Sequence, residues 1–212
     1  MSDRFALIHG AATKPSVYDA VVDAITRAHP AAAVVVPARE SSGDLGAELA
    51  ALLPYVQGRF VAGVSGGATL GLALLAAGAD LRGAVLHEPA AGSLAPGLLD
   101  AVAAAYRSGG IEGFARTLYG PSWQGDQSPE DPGAVGRDLA MFRGFEPEAP
   151  ADPSVRTVLT VGQLSPPIRH EVVALLAQRF GYDVRVVPGC GHAAHLDAPQ
   201  EWAAIVLSVA AE

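Results

Sequence analysis

Apolar positions along this chain gather into short β-branched runs separated by longer stretches in which apolar and polar residues alternate with helical spacing. The runs Phe5 to Ile8, Ala33 to Val36, Phe60 to Val64 and Ala84 to Leu86 read as strands. Each is almost continuously apolar, so it must be covered on both faces. Crossover helices flanking a parallel sheet provide that cover; a half-solvated antiparallel sheet does not. The stretches between them fit helices. Pro15-Ser16 precedes Val17 and Asp19 follows Ser16 by three, a capping-box-like start to a helix whose Val17, Val21, Val22 and Ile25 share one face. A second helix is expected over Asp44 to Leu53, ending at Pro54. A third spans Ala68 to Ala77, so poor in charge that most of its surface must be covered.

From Ala90 to Asp152 the pattern changes. Strand-like runs vanish, Gly and Pro multiply, and helical candidates appear at Leu98 to Tyr106, Ile111 to Leu118 and Ala134 to Phe145. The polar, Pro/Gly-rich segment Gln124 to Pro132 reads as a mobile loop. The alternation then resumes with Val155 to Val161 and Val184 to Val187 as strands, and Ile168 to Phe180 and Pro199 to Ala210 as helices. Pro199 suits a first helical turn. The expected fold is therefore α/β: a mostly parallel sheet of about six strands, its core formed by residues 1–89 and 153–212, with a helical cap inserted at 90–152. No internal repeat is visible.

Composition narrows the function. With 212 residues, 50% hydrophobic and 17% charged, the chain fits one soluble globular domain. Its 22 acidic against 14 basic residues give a net charge of -8, which argues against nucleic acid or an anionic membrane surface as partner and for a small-molecule substrate. No apolar stretch reaches the roughly 20 residues of a bilayer crossing. The opening Met1-Ser2-Asp3-Arg4 lacks the marks of an export leader, so a cytoplasmic location is expected. A lone cysteine, Cys190, cannot form an internal disulfide and leaves too few thiolates for structural zinc. His87, His170, His192 and His195 lack paired-histidine metal spacing and there is no nucleotide loop, so no cofactor is expected. Oligomeric state leaves no mark in the sequence.

Three short motifs could carry chemistry. Gly63-Val64-Ser65-Gly66-Gly67 follows a strand and opens a helix, the setting in which a sharp turn exposes a serine hydroxyl; otherwise it is a glycine-rich turn that binds a phosphate or only packs. His9-Gly10-Ala11 ends the first strand, where a backbone amide can face a site at the carboxyl edge of the sheet. Alternatively His9 is a hydrogen-bonded core histidine and Gly10 a loop glycine. Pro188-Gly189-Cys190-Gly191-His192 follows the last strand and brings an imidazole to the same edge as Ser65, as a general base requires. Cys190 and His195 read as packing residues beside it.

With these motifs in this order, and with the ending Gly191-His192-Ala193-Ala194-His195-Leu196-x-x-Pro199, the chain resembles the α/β-hydrolase family over nearly its whole length. The resemblance implies Ser65 as nucleophile, His192 as base, and an oxyanion hole from the backbone N–H groups of Gly66 and Ala11. It also implies that the family's first two strands are absent. The acid departs from the pattern: the stretch Gly162-Gln163-Leu164-Ser165-Pro166-Pro167 has serine where the family's aspartate is expected. A hydroxyl there can accept a hydrogen bond and orient the ring, but cannot stabilise an imidazolium by charge. Glu88, in Leu86-His87-Glu88-Pro89, stands at a strand end from which some members, by resemblance, take their acid. Either it reaches Nδ1 of His192, or it is a structural hydrogen-bonding residue and Ser65 and His192 form a dyad. Asp197 is a weaker candidate, better placed to cap the last helix, and Asp152 lies at the wrong end of its strand.

These residues support an ester or thioester hydrolase acting on a small apolar substrate. The alternatives are a lyase or cyclase using the Ser–His pair, or a ligand-binding homologue whose catalysis has decayed. Substrate contacts are expected from His9 and from the cap side chains Tyr106, Phe114, Leu118, Tyr119, Trp123, Met141 and Phe142. A single lysine, Lys14, and no arginine cluster in the cap argue against a polyphosphate handle.

Overall fold

The computed structural model describes residues 4–212; Met1, Ser2 and Asp3, part of the opening read for a leader, lie outside them. In chain order its elements are β1 (Arg4–Ile8), α1 (Asp19–Ala28), β2 (Ala33–Val35), α2 (Leu45–Val56), β3 (Arg59–Val64), α3 (Gly66–Ala76), β4 (Leu81–His87), α4 (Asp100–Tyr119), α5 (Ala134–Arg143), β5 (Thr157–Gly162), α6 (Pro167–Phe180), β6 (Asp183–Val187), α7 (Ala194–Asp197) and α8 (Pro199–Ala211). The six strands form one sheet, all parallel, in the order β2-β1-β3-β4-β5-β6. The winding reverses direction between β1 and β3. A crevice therefore opens beyond their carboxyl ends, where α/β sheets place their ligands.

Strand alternation explains the two-sided burial. Phe5 and Leu7 of β1 join Val21 and Ile25 of α1 and Trp202 and Val206 of α8 on one face. Ala6 and Ile8 join Leu52 of α2, Leu70 and Leu74 of α3 and Leu176 of α6 on the other. The segment between β4 and β5 lays α4 and α5 over the carboxyl edge, and its Phe114, Leu139 and Phe142 belong to the same apolar cluster as Ala11 and Ala68. The cap is thus continuous with the core beneath it.

Several local expectations are corrected. Helix α1 starts at Asp19 after a 3-10 turn over Pro15–Tyr18, and no side chain caps either start, so Ser16 and Asp19 form no capping box. The tighter turn buries Tyr18, whose hydroxyl donates to Ile8 O (3.1 Å) and accepts from Val64 N (3.0 Å). Pro54 does not end α2. Burial of Leu52 and Val56 holds the last turn, Gln57 N closes it on Leu53 O (3.2 Å), and the left-handed Gly58 stops it. The two helices expected at Leu98 to Tyr106 and Ile111 to Leu118 form one run, kinked where Gly110 takes φ 58° and ψ -146°. The expected loop over Gln124 to Pro132 contains a 3-10 turn at Gly125–Gln127, closed by Gln124 N donating to the Gln127 side chain (2.9 Å). Among the described residues no helix is long and apolar enough to cross a membrane.

Candidate active site

Ser65 sits between β3 and α3 with φ 59° and ψ -119°, a conformation that costs a non-glycine residue about 1–3 kcal/mol and is retained only where the surroundings enforce it. Those surroundings are close backbone approaches. A Cβ on Gly67 would stand 1.7 Å from Ile8 O, and one on Gly63 would stand 2.5 Å from Gly67 C. Only glycines let β3 turn straight into α3 against the end of β1, and the turn lifts Ser65 to the carboxyl edge. The amide of Ser65 is tied down by His87 O (2.9 Å), its carbonyl by Thr69 Oγ1 (3.0 Å).

Glu88 follows β4 directly and is also held at positive φ, 48°. Its carboxylate is fully used. Oε2 lies 2.7 Å from Nδ1 of His192, while Oε1 accepts from Gly162 N (3.0 Å) and from the Ser165 hydroxyl. His87 Nε2 and Arg169 Nε stand 3.6 Å from its two oxygens. Burial alone would raise the pKa of Glu88, but the hydrogen bond and charge of His192, with His87 and Arg169, carry it well below the usual range. An ionised carboxylate can only accept, so Nδ1 of His192 carries the proton and Nε2 the lone pair.

The basicity of His192 follows from the same neighbours. Burial pushes its pKa down, the charge of Arg169 pushes it further, and Glu88 pulls it back only in part. The ring is therefore neutral near pH 7. Nε2 is buried and has no hydrogen-bond partner, so in this arrangement Ser65 is not bonded to it. The loop carrying His192 is steadied by His87, whose Nδ1 pairs with Thr160 Oγ1 (3.0 Å) and Nε2 with Gly191 O (3.3 Å). Burial lowers the pKa of His87 to about 4.

The loop after β1 has its carbonyls taken one after another by side chains. Arg39 Nη1 donates to His9 O and Gly10 O (both 3.3 Å), Thr13 Oγ1 to Gly10 O (3.0 Å), Tyr119 OH to Ala11 O (2.8 Å) and Trp123 Nε1 to Ala12 O (3.0 Å). The backbones of this loop and of the serine turn meet: a Cβ on Gly66 would lie 3.3 Å from Ala11 N. Tyr119 also stacks on the His192 ring, centroids 5.8 Å apart at 20°. Burial raises its phenol pKa, against a hydrogen-bonding interaction with Ser65, so it stays protonated.

Over Ser65, Ala11 and Gly66 lies a small apolar pocket walled by Ala90, Leu99, Phe114, Leu118, Leu139 and Phe142. Ala90, Leu99 and Phe142 also line a larger, more polar chamber towards Asp100, Arg143 and Glu146. Of the side chains expected to contact substrate, Phe114, Leu118 and Phe142 line the inner pocket. Tyr106 instead packs edge-on against Phe114 (6.4 Å, 88°), and Trp123 and Tyr119 clamp the β1 loop. Met141 is buried beside Phe142 but points off another face of α5, outside both spaces. His9 lies beneath the loop, its Nδ1 3.2 Å from Gly10 O, and burial lowers its pKa to about 3.

The remaining acid candidates fall elsewhere. Asp197 accepts from Ser122 of the cap (2.5 Å), and Asp152 is exposed and binds Ser154. Ser165 contacts Glu88 as a donor, so it does not orient the imidazole by accepting from it. Sequence reasoning missed Arg39, Arg169 and His87. Arg39 and Arg169 lie in no recognisable motif, His87 stands in the Leu86-His87-Glu88-Pro89 segment only as the neighbour of Glu88, and each matters only through which carbonyl or carboxylate the fold brings beside it. No group of three or more His, Cys, Asp or Glu among the described residues is arranged to hold a metal ion.

A family model described as alpha/beta hydrolase family matches residues 5–205. No curated protein matches. Solved structures similar to this chain include a lipase-esterase related protein from Clostridium acetobutylicum (TM-score 0.77, 10% identity, covering 98% of this chain and 95% of that one). Also similar are the enol-lactonase from Burkholderia xenovorans (0.75, 17%, 100% and 92%) and the carboxylesterase CesB from Bacillus subtilis (0.64, 16%, 98% and 83%). At such identities the likeness concerns the fold.

Proposed function

Because the chain belongs to the alpha/beta hydrolase family, we propose that Ser65, His192 and Glu88 are its catalytic triad and that it hydrolyses carboxylic esters or thioesters of small apolar acids. The 2.7 Å contact between Glu88 Oε2 and His192 Nδ1 carries this reading, because it fixes the tautomer that leaves Nε2 free to take a proton. Attack requires the Ser65 hydroxyl to hydrogen-bond to this unpartnered Nε2. The oxygen then attacks the substrate carbonyl as its proton passes to His192, and Glu88 stabilises the imidazolium.

The developing oxyanion is received by the amides of Gly66 and Ala11. Neither amide donates to a backbone or side-chain acceptor among the described residues, and Gly66 opens α3, whose dipole favours negative charge there. His192 next returns the proton to the leaving alkoxide or thiolate. Water, deprotonated by the same ring, releases the acid from the acyl-enzyme. The inner pocket suits a short apolar acyl group, and the outer chamber gives the leaving group a way out.

The test is labelling by a fluorophosphonate together with turnover of p-nitrophenyl acetate. Wild type is expected to react in both assays and Ser65→Ala in neither. Labelling without turnover of any ester would favour the proton-transfer alternative, a lyase or cyclase using the Ser65–His192 pair. Absence of both overturns the proposal.

A further inference from the structure

Arg39 lies in the loop after β2, outside every motif, yet its side chain is fully buried and each of its three nitrogens is engaged. Nε donates to Glu48 Oε2 (3.0 Å), and Nη2 and Nη1 grip Asp138 in the fork-to-fork manner (2.7 and 3.2 Å). Nη1 is also shared with the carbonyls of His9 and Gly10 (3.3 Å each). Glu48 belongs to α2 and Asp138 to cap helix α5. One guanidinium therefore joins the core, the cap and the β1 loop.

The contact with Gly10 O bears on catalysis through peptide geometry. Gly10 C=O and Ala11 N–H belong to a single planar, trans peptide, so they point in opposite directions. A cation fixed on the carbonyl aims the N–H the other way, towards the space above Ser65. It also polarises the amide and makes its hydrogen a stronger donor. The other amide is reached through Phe142, one helical turn beyond Asp138. Its ring lies 5.6 Å from the guanidinium carbon and packs on Gly66 so closely that a Cβ there would fall 2.5 Å from it.

We propose that Arg39, held in plane by Asp138, is a positioning residue of the oxyanion hole, setting the direction and donor strength of the Ala11 amide from the side opposite the substrate. The proposal rests on the triad reading above. It also makes the cap a working part of the site: α5 supplies the carboxylate that orients the guanidinium, so displacing α5 would slacken the hole as well as open the pocket.

The experiment compares wild type, Arg39→Lys and Asp138→Asn in p-nitrophenyl acetate turnover, in inhibition by an alkylboronic acid, whose tetrahedral adduct puts an oxygen in the hole, and in thermal melting. A lysine retains the charge but cannot fork onto Asp138 while holding two carbonyls. In Arg39→Lys kcat is expected to fall about 10–100-fold, part of the 10²–10³ lost when an oxyanion donor is removed outright. KM should change less than about twofold, because a ground-state carbonyl depends little on the hole, and boronic acid affinity should fall in parallel with kcat. Asp138→Asn, which keeps the shape but turns one of the two oxygens that accept from Arg39 into a donor, should show the same split at about a fifth to a tenth of wild-type kcat, and it decides the matter if Arg39→Lys does not fold. A folded variant with undiminished kcat, or with kcat and KM falling together while boronic acid affinity holds, overturns the proposal and leaves the triad standing. A wild type that neither turns over esters nor takes the fluorophosphonate fails the triad reading, and this proposal with it.

Discussion

Ser165 donates its hydroxyl hydrogen to Oε1 of Glu88, and the other oxygen of that carboxylate holds Nδ1 of His192. The residue at the expected acid position thus supports the carboxylate proposed as the acid, which comes from the neighbouring strand end. A second carboxylate at 165 would meet Glu88 as a like charge in a buried space, whereas a hydroxyl there satisfies one of its lone pairs. The substitution that looked like a loss in the sequence is the complement of Glu88.

Glu88→Gln is expected to lower kcat by about 10⁴, since an amide donor facing Nδ1 favours the wrong tautomer. Ser165→Ala removes one of several bonds to a carboxylate that still has Gly162 N and His192, and should cost less than about tenfold. Steady-state turnover of an activated ester, with melting curves for both variants, checks this. Equal effects would mean that Ser165 is an equal partner in catalysis.

Ser165→Asp should destabilise the fold by about 3 kcal/mol, the scale of an uncompensated buried charge. The double change Glu88→Ser with Ser165→Asp should recover much of that loss. Chemical denaturation of the two variants measures it, and a single variant as stable as wild type would contradict the buried, charge-bearing role given to Glu88.

Acid should act on stability before it acts on the Glu88 carboxylate. His9, His87 and His195 ordinarily titrate at 6.5, but burial holds them at about 3, 4 and 3 in the folded chain. Between those values the unfolded chain binds more protons than the folded one. The contribution is therefore complete above pH 6.5 and is lost as pH falls, by up to about 4 kcal/mol per pH unit for three protons. The pKa of Glu88 is also depressed, which adds to the loss at the acid end. Urea midpoints from pH 7.5 to 4.5 should drop steeply. The acid limb of kcat/KM, set by the lowered pKa of His192, should lie below pH 6.5.

Leu118→Ala enlarges the inner pocket at a residue that is only half-buried. The preference for butyrate over acetate p-nitrophenyl esters, read as the ratio of kcat/KM, should rise about tenfold, consistent with about 1–3 kcal/mol per methylene in an apolar pocket. An unchanged ratio would place the acyl group elsewhere.

The α/β architecture was legible because strands buried on both faces leave no polar position to blur the run, and the serine turn because its glycines answer a local need for backbone approach. Gly67 against Ile8 O is such a case. Pro54 and Ser16 misled, since both are local signals overridden by burial of Val56 and Tyr18. Arg39 as a member of the site, and Tyr119 as a clamp on the β1 loop, were illegible for a different reason. Arg39 bonds Asp138 across 99 positions, and Tyr119 bonds Ala11 across 108, so no window of sequence holds both ends of either interaction.

The strand ladder has a consequence for how such a site can drift. Val64 and His87, the residues just before the proposed nucleophile and the proposed acid, are partners in the pairing of β3 with β4. Ser65 and Glu88 are thus spaced by one rung of a rigid lattice. Insertions in the turn that follows β5, which would carry away an aspartate mounted there, leave that spacing alone. Such a turn can lengthen or shorten while the register of Ser65 and Glu88 stays unchanged.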